Sequence, residues 1–79
     1  MMNESRRIKI IQAINETEKQ LIKAEKRYND TLECIARDEA EGFRVQDDWI
    51  IYKENDKQRV DQLKARIKKL DKMLLELVV

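Results

Sequence analysis

Apolar residues recur at alternating steps of four and three in both halves of the chain, and one glycine separates the halves. This spacing is the a/d pattern of helices that pack along one stripe, so both halves are predicted to be helical. No proline interrupts either half, and Gly42 is the single strong helix breaker. The first predicted seam is Ile10, Ile14, Thr17, Leu21, Ala24, Tyr28, Thr31 and Ile35. The second predicted seam is Trp49, Lys53, Asp56, Val60, Leu63, Ile67, Leu70, Leu74 and Leu77.

The two seams predict one domain that covers the whole chain, residues 1–79. We expect a first helix over about 4–41, a turn over about 42–46 and a second helix over about 47–78. A connector this short forces long helices to run antiparallel. The predicted fold class is therefore all-α, an antiparallel two-helix hairpin of coiled-coil type.

Capping residues support these boundaries. Asn3 or Ser5 is expected to cap the start of the first helix, because short polar side chains accept hydrogen bonds from free helix amides. Gly42 suits the left-handed conformation just past the end of that helix. Asp47 or Asp48 is expected to cap the second helix.

The apolar face of the first helix is wider than one neighbour needs. Ile8, Ile11 and Ile22 lie beyond the edge of its seam, and a chain this short rarely gains more than about 3–5 kcal/mol from a single core. We therefore expect a second copy to cover these residues, which would form a homodimeric four-helix bundle with the first helices in the centre. Small residues at every other seam position, Thr17, Ala24 and Thr31, would let helix axes approach closely.

Polar residues interrupt the second seam near Asp56. In an antiparallel hairpin, this residue lies near Tyr28 and Thr31, so the three side chains are predicted to form one polar core layer. Such layers usually specify register and the number of partners at some cost in stability. The alternative is that the layer binds a ligand.

Charge is distributed unevenly although the net charge is only +1. Residues 30–48 contain seven acids and two bases, a balance of −5, whereas residues 57–72 contain seven bases and two acids, a balance of +5. An antiparallel hairpin brings Arg6, Arg7 and Lys9 to the same end as the second group. The rod is therefore predicted to be acidic at its turn and basic at its open end.

The first helix carries its charges against its own dipole. Its basic residues lie at the positive amino end, and its acidic residues Asp38, Glu39 and Glu41 lie at the negative carboxyl end, which costs up to about 1 kcal/mol per charge. Two explanations stay open. Neighbouring groups compensate, for example Arg44 beside Asp38 and Glu39, or one end meets a partner.

The composition excludes most catalytic chemistry. The chain has no histidine, one cysteine and one glycine, so it cannot form a Ser-His or Cys-His pair, a histidine zinc site or a glycine-rich phosphate loop. We expect no enzyme activity, no cofactor and no metal, and we interpret Cys34 as a small buried apolar residue. No stretch is long and apolar enough for a signal peptide or a bilayer span, so a cytoplasmic protein without a membrane role is expected.

The turn suggests a function in binding another protein. Large apolar residues stand there beside acids, a combination typical of interface anchors, and a non-enzymatic regulator, adaptor or inhibitor that acts stoichiometrically is our first hypothesis. The competing interpretation is that Phe43 and Trp49 close the end of the hairpin core. The candidate binding residues are Phe43, Val45, Trp49, Asp38, Glu39, Glu41, Asp47 and Asp48.

Nucleic-acid binding through the basic open end is an alternative. Acids interleaved through the first helix, the small net charge and the lack of aromatics among the bases make it the weaker hypothesis. The candidate phosphate contacts are Arg6, Arg7, Lys9, Lys64, Lys68 and Lys72.

A second alternative comes from length and layout, which are similar to those of small helical-hairpin phosphatases of phosphorylated response regulators. That family carries a Ser-Gln-Glu-Leu-Asp signature on its second helix. The nearest stretch here, residues 68–71, reads Lys-Lys-Leu-Asp and keeps only the Leu-Asp pair. The family is therefore not assigned, and Asp71 is the residue whose substitution would test it.

Overall fold

The computed structural model of the chain describes the backbone of residues 2–78 and the side chains of residues 4–77. It contains helix α1, Met2–Ala40, and helix α2, Asp47–Val78. The helices pack against each other as an antiparallel hairpin with Cα extents of 62 × 15 × 14 Å, which confirms the predicted all-α hairpin. Neither described helix has an apolar stretch long enough to cross a membrane.

The predicted seams form the contact between the helices. Every seam residue of α1 is buried or half-buried, and so is every seam residue of α2 except Lys53, which is exposed. The flexible stem of a lysine lets its ammonium group reach water, so a seam position does not force burial of this residue. The buried apolar residues are Ile10, Ile14, Val60 and Leu63.

The pairing register of the helices follows from one hydrogen bond across the seam. The Thr31 hydroxyl donates to Oδ2 of Asp56 over 2.8 Å. Because both seams repeat every seven residues, this pair determines which residues face each other along the whole rod. The same register brings Ile10 and Leu77 to one surface hollow at the open end. Heptad steps from the Thr31 layer give the facing pairs Ile10 with Leu77, Thr17 with Leu70, Ala24 with Leu63 and Asp38 with Trp49.

Small and large residues face each other in these layers. Thr17 and Leu63 are the most enclosed side chains, each only 2% exposed. The Thr17 hydroxyl donates to the Ala13 carbonyl over 2.6 Å, so its burial leaves no polar group unpaired. Placing Thr17 and Ala24 on α1 opposite leucines on α2 lets the two backbones approach closely.

Helix α1 ends in a Schellman motif. The Phe43 amide donates to the Asp38 carbonyl over 2.8 Å, and the Gly42 amide donates to the Glu39 carbonyl over 3.1 Å. Gly42 has φ of +80°, the left-handed conformation that the motif needs at this position. These bonds pair carbonyls that the last helical turn would otherwise leave free.

The starts of the helices differ from the predicted caps. Asn3 and Ser5 lie inside α1, which begins at Met2, so neither is its N-cap, because regular helical backbone continues upstream of both. Asp47 and Asp48 lie in the first turn of α2, not before it, and the Trp49 amide donates to the carbonyl of the preceding Gln46 over 3.1 Å. The two carboxylates still favour this helix start, because they lie at the positive end of its dipole.

Candidate protein-binding surface at the turn

Phe43 is the last residue of the Schellman motif, and its side chain projects into solvent and is 63% exposed. The residue in this position of the motif usually packs on an apolar side chain one turn back in the helix. Here the corresponding helix position is occupied by Asp38, which offers no apolar surface. The interpretation that Phe43 closes the end of the hairpin core is therefore wrong.

Trp49 and Val45 are both half-buried at the same end of the rod. The Trp49 ring meets the Tyr52 ring edge to face, with centroids 5.9 Å apart and planes at 82°. This arrangement is favourable for aromatic pairs, and it holds both rings in defined orientations. Trp49 faces Asp38 in the register above, so it covers the last seam layer before the turn.

Three consecutive apolar residues at the start of α2 point away from the seam. Ile50, Ile51 and Tyr52 are 46%, 53% and 49% exposed. All three were missed as site residues by sequence reasoning, although a signal was present. Trp49, which directly precedes these three residues, lies in the seam. Successive residues on a helix point about 100° apart, so the next three cannot all face the seam as well.

Four side chains are exposed around this end of the rod, and we call them the turn-end surface: Phe43, Ile50, Ile51 and Tyr52. Ile50 and Tyr52 lie on opposite sides of α2, because two steps of about 100° separate them. Acidic residues border it, because Glu41, Asp47 and Asp48 are exposed in the turn and the first turn of α2. An open hollow of about 330 Å³ adjoins it, lined by Arg44, Val45, Gln46 and Asp47. This end of the rod therefore combines apolar side chains with a negatively charged border.

The acidic end of α1 is not neutralised by the residue expected to do so. Glu39 is exposed, Asp38 is half-buried, and neither forms an ion pair with Arg44. Among residues 4–77, the one ion pair joins Arg27 to Asp56. Arg44 lies beyond the Schellman turn and lines the hollow instead.

The predicted polar layer lies at the middle of the turn-side half of the rod. Thr31 and Asp56 are buried and hydrogen-bonded to each other, and Nε of Arg27 lies 3.3 Å from Oδ1 of Asp56. Arg27, which sequence reasoning missed, thus supplies the second contact to the carboxylate, whereas Tyr28 is half-buried in the adjacent layer. Spacing places Arg27 one turn before Thr31 on the same helix but does not show which way its side chain turns.

This layer satisfies its own polar groups. The Arg27 side chain is 77% exposed, so its guanidinium keeps contact with water, whereas the Asp56 side chain is 11% exposed, accepts a hydrogen bond from Thr31 at Oδ2 and forms an ion pair with Arg27 at Oδ1. The Thr31 hydroxyl also lies 3.0 Å from the Arg27 carbonyl. Both oxygens of the Asp56 carboxylate therefore have partners within the hairpin, which favours a structural role for this layer.

The three isoleucines predicted to contact a second copy lie outside the hairpin core. Ile8 is 55% exposed, Ile11 is 37% exposed and Ile22 is 69% exposed. Leu75 near the open end of α2 is 68% exposed. The hairpin alone therefore leaves a considerable apolar surface along its side.

The basic residues considered for nucleic-acid binding are all exposed. Arg6, Arg7 and Lys9 lie in the first three turns of α1, and Lys64, Lys68 and Lys72 lie in α2. Arg6 lines a hollow with Met73 and Glu76, so an acid stands among the bases at this end.

Asp71, the residue that would test the phosphatase alternative, is exposed on α2, and Cys34 is a half-buried free thiol on α1.

Comparison of the chain with protein-family models, with curated proteins and with solved structures finds no match. The candidate surfaces therefore rest on the geometry of this chain alone.

Proposed function

We propose that the chain is a non-enzymatic protein-binding module that acts stoichiometrically, as a small regulator, adaptor or inhibitor. The observation that carries this proposal is the turn-end surface, where four large apolar side chains between residues 43 and 52 are each at least 46% exposed. The seam between α1 and α2 is complete without them. Their exposure therefore contributes nothing to the hairpin core.

Burial of these side chains against a partner would be favourable. Covering a Phe or Ile side chain is worth about 1.5–3 kcal/mol relative to leaving it in water. Interfaces commonly place aromatic side chains in the centre and charged residues at the border. Phe43, Ile51 and Tyr52 with the nearby acids match that arrangement.

The border chemistry indicates the kind of partner. Glu41, Asp47 and Asp48 would favour a protein that carries Lys or Arg around an apolar surface. Charge complementarity of this type mainly accelerates association and rejects acidic competitors. We therefore propose a basic protein surface as the ligand of the turn-end surface.

We also propose that the hairpin pairs with a second copy to form a four-helix bundle through the side of α1. The exposed Ile8, Ile11 and Ile22 support this proposal, because a two-helix hairpin has little core of its own. This side surface and the outward side of α2 are different parts of the hairpin. One chain can thus pair with itself and bind a partner.

The experiment compares proteins retained from a lysate of the source cells by the wild-type chain and by Ile51→Glu. Lys68→Glu serves as a matched control near the middle of the rod, away from the turn, because it also introduces one exposed glutamate into α2. A partner retained by the wild type and the control but lost with Ile51→Glu is then purified, and its stoichiometry and affinity are measured by titration calorimetry. We expect saturable binding that Ile51→Glu weakens at least tenfold while helicity by circular dichroism is unchanged.

Retention that is lost with Lys68→Glu but kept with Ile51→Glu would contradict this proposal, because it would move the contact from the turn to the basic residues of α2. If such retention also disappears on nuclease treatment and falls steeply with salt, the ligand is a nucleic acid.

A further inference from the structure

One line of residues runs along the side of α1, from its first turn to its last. The residues are three or four positions apart, so they lie on one face of the helix beside the seam. All are exposed except Leu32, which is half-buried. We call this line the lateral strip: Glu4, Ile8, Ile11, Asn15, Glu18, Ile22, Glu25, Asn29, Leu32, Ala36 and Glu39.

The lateral strip reads alike in both directions. Counted outward from Ile22 along the strip, each position has a residue of the same chemical type at the corresponding position on the other side, equally far in sequence to within one residue. Acid matches acid, amide matches amide, and apolar matches apolar. The matched pairs are Glu18 with Glu25, Asn15 with Asn29, Ile11 with Leu32, Ile8 with Ala36 and Glu4 with Glu39.

We propose that two hairpins pair antiparallel through their lateral strips, with a two-fold axis that passes between the two Ile22 side chains. This proposal rests on the self-pairing proposed above and adds its direction and centre. A two-fold interface brings residue i against residue j and residue j against residue i. A strip that is symmetric about Ile22 therefore matches its own antiparallel copy at its apolar and amide positions, whereas its glutamates face glutamates.

The apolar positions agree with this arrangement. Ile22 meets its counterpart at the centre, and Ile8 and Ile11 of each chain meet Ala36 and Leu32 of the second copy. The isoleucines at the open end are thus covered by apolar residues from the turn-side half of the partner. In a parallel pair, Ile22 would again meet itself, but the charged ends described next would face like charges.

Charge at the ends of the rod favours the antiparallel direction. Residues 30–48 carry a balance of −5. In the Thr31–Asp56 register, residues 57–72, which carry +5, lie alongside residues 15–30 of α1 in the middle of the rod, so the prediction that they lie at its open end is wrong. Antiparallel pairing lays the acidic turn of each hairpin beside Arg6, Arg7 and Lys9 of the other, whereas parallel pairing would bring the two acidic turns together. Opposed potentials of this kind attract, whereas like charges brought together cost several kcal/mol.

Polar positions within the strip can be satisfied. Asn15 faces Asn29 of the second copy, and amide side chains both donate and accept hydrogen bonds. Glu18 faces Glu25 of the second copy, but each is followed by a lysine, Lys19 or Lys26. The charges on both sides of Ile22 therefore balance.

The corresponding line on α2 does not offer the same surface. It has apolar residues only at its ends, and its centre is fully charged. Its members are Ile50, Glu54, Lys57, Asp61, Lys64, Lys68, Asp71 and Leu75. The first helices are thus the pair that meets in the centre of the bundle.

Cysteine cross-linking tests the direction of pairing. In a Cys34→Ala background, Ile8→Cys and Ala36→Cys are purified separately and then oxidised alone and as a mixture. Antiparallel pairing predicts a disulfide-linked dimer in the mixture and little in either variant alone, because position 8 faces position 36 of the second copy. Cross-linking of Ile8→Cys with itself would indicate parallel pairing and overturn the proposal.

Light scattering at micromolar concentration tests the centre. We expect the wild type to have twice the 9.5 kDa mass of one chain and Ile22→Glu to have that of one chain, with helicity retained because Ile22 is 69% exposed in the hairpin. Ile51→Glu is the matched control and should remain dimeric. A monomeric wild type, or an Ile22→Glu variant that stays dimeric, would overturn the proposal.

The same two variants separate this inference from the proposed function. Ile51→Glu is expected to lose partner binding and keep the dimer, whereas Ile22→Glu is expected to lose the dimer and keep binding to a single turn-end surface. Failure of one expectation leaves the other intact.

Discussion

The Thr31 hydroxyl and the Asp56 carboxylate form a hydrogen bond across the seam, and among residues 4–77 it is the one side-chain hydrogen bond that joins α1 to α2. A slip of one heptad would place Asp56 opposite Ala24 or Asp38, where it would face a methyl group or a second carboxylate. A buried carboxylate without a donor is costly. The pair therefore selects one register out of those that the repeating seam would accept.

Thr31→Val should destabilise the hairpin. The substitution keeps the shape of the side chain but leaves Oδ2 of Asp56 buried without a donor, which costs about 1–3 kcal/mol. Thr17→Val is the matched control, because the Thr17 hydroxyl bonds only within its own helix and its loss should cost less. Urea denaturation followed by circular dichroism measures both, and an equal loss in the two variants would contradict the role of the cross-seam bond.

Asp56→Leu should not lower the free energy of unfolding. We expect the value to stay unchanged or to rise, and a rise would be about 1 kcal/mol or more. A leucine completes the seam opposite Thr31, Arg27 is already in contact with water, and the Thr31 hydroxyl can still donate to the Arg27 carbonyl. Thermal and urea melts of this variant check the expectation. A clear loss of stability would show that the layer contributes more than register, and lost partner binding with an unchanged fold would favour the ligand-binding interpretation.

Phe43→Ala should leave the stability of the hairpin within about 0.5 kcal/mol of the wild type, because the side chain is 63% exposed. Leu63→Ala, in contrast, removes a side chain that is 2% exposed and should cost about 2–5 kcal/mol. Melting curves of the two variants give the comparison. A large fall in the melting temperature of Phe43→Ala would mean that the ring supports the hairpin after all.

Gly42→Ala should destabilise the hairpin by about 1 kcal/mol through its backbone alone. The glycine has φ of +80°, and a Cβ added there would have open space around it, so no steric clash contributes. Gly42→Asn should cost less, because asparagine tolerates the left-handed conformation better than alanine. Equal losses for the two variants in urea denaturation would contradict this explanation.

The seams and the position of the turn were predictable because apolar spacing and a lone glycine act locally. The sequence left two interpretations of Phe43 open, an exposed interface anchor and an apolar residue that packs back on the end of the helix. The signal was available in the order of residues, because Gly42 in the left-handed position of a Schellman motif makes Asp38 the position that Phe43 would pack against. The prediction of Asn3 or Ser5 as a cap was wrong. Both residue types are common at helix starts, but the residue type alone does not define where the regular helical backbone begins.

Arg27 could not be predicted from spacing alone. Its contact with Asp56 depends on how each helix is rotated about its own axis. The heptad pattern does not define that rotation more closely than the width of one side chain. Tyr28 and Arg27 are adjacent in sequence, and the structure turns the arginine, not the tyrosine, towards the carboxylate. Polar contacts across a seam are therefore less predictable than the apolar layers around them.

The Schellman motif at Gly42 also has a consequence for how Phe43 meets a partner. Two backbone hydrogen bonds already hold Gly42 and Phe43 itself in position, so association restricts only the two side-chain torsions of Phe43. Freezing a rotamer-rich side chain costs about 0.5–1.5 kcal/mol, and an aromatic ring with two torsions is at the lower end of that cost. The chain thus presents its most exposed aromatic group in a preorganised form, at little entropic cost on binding.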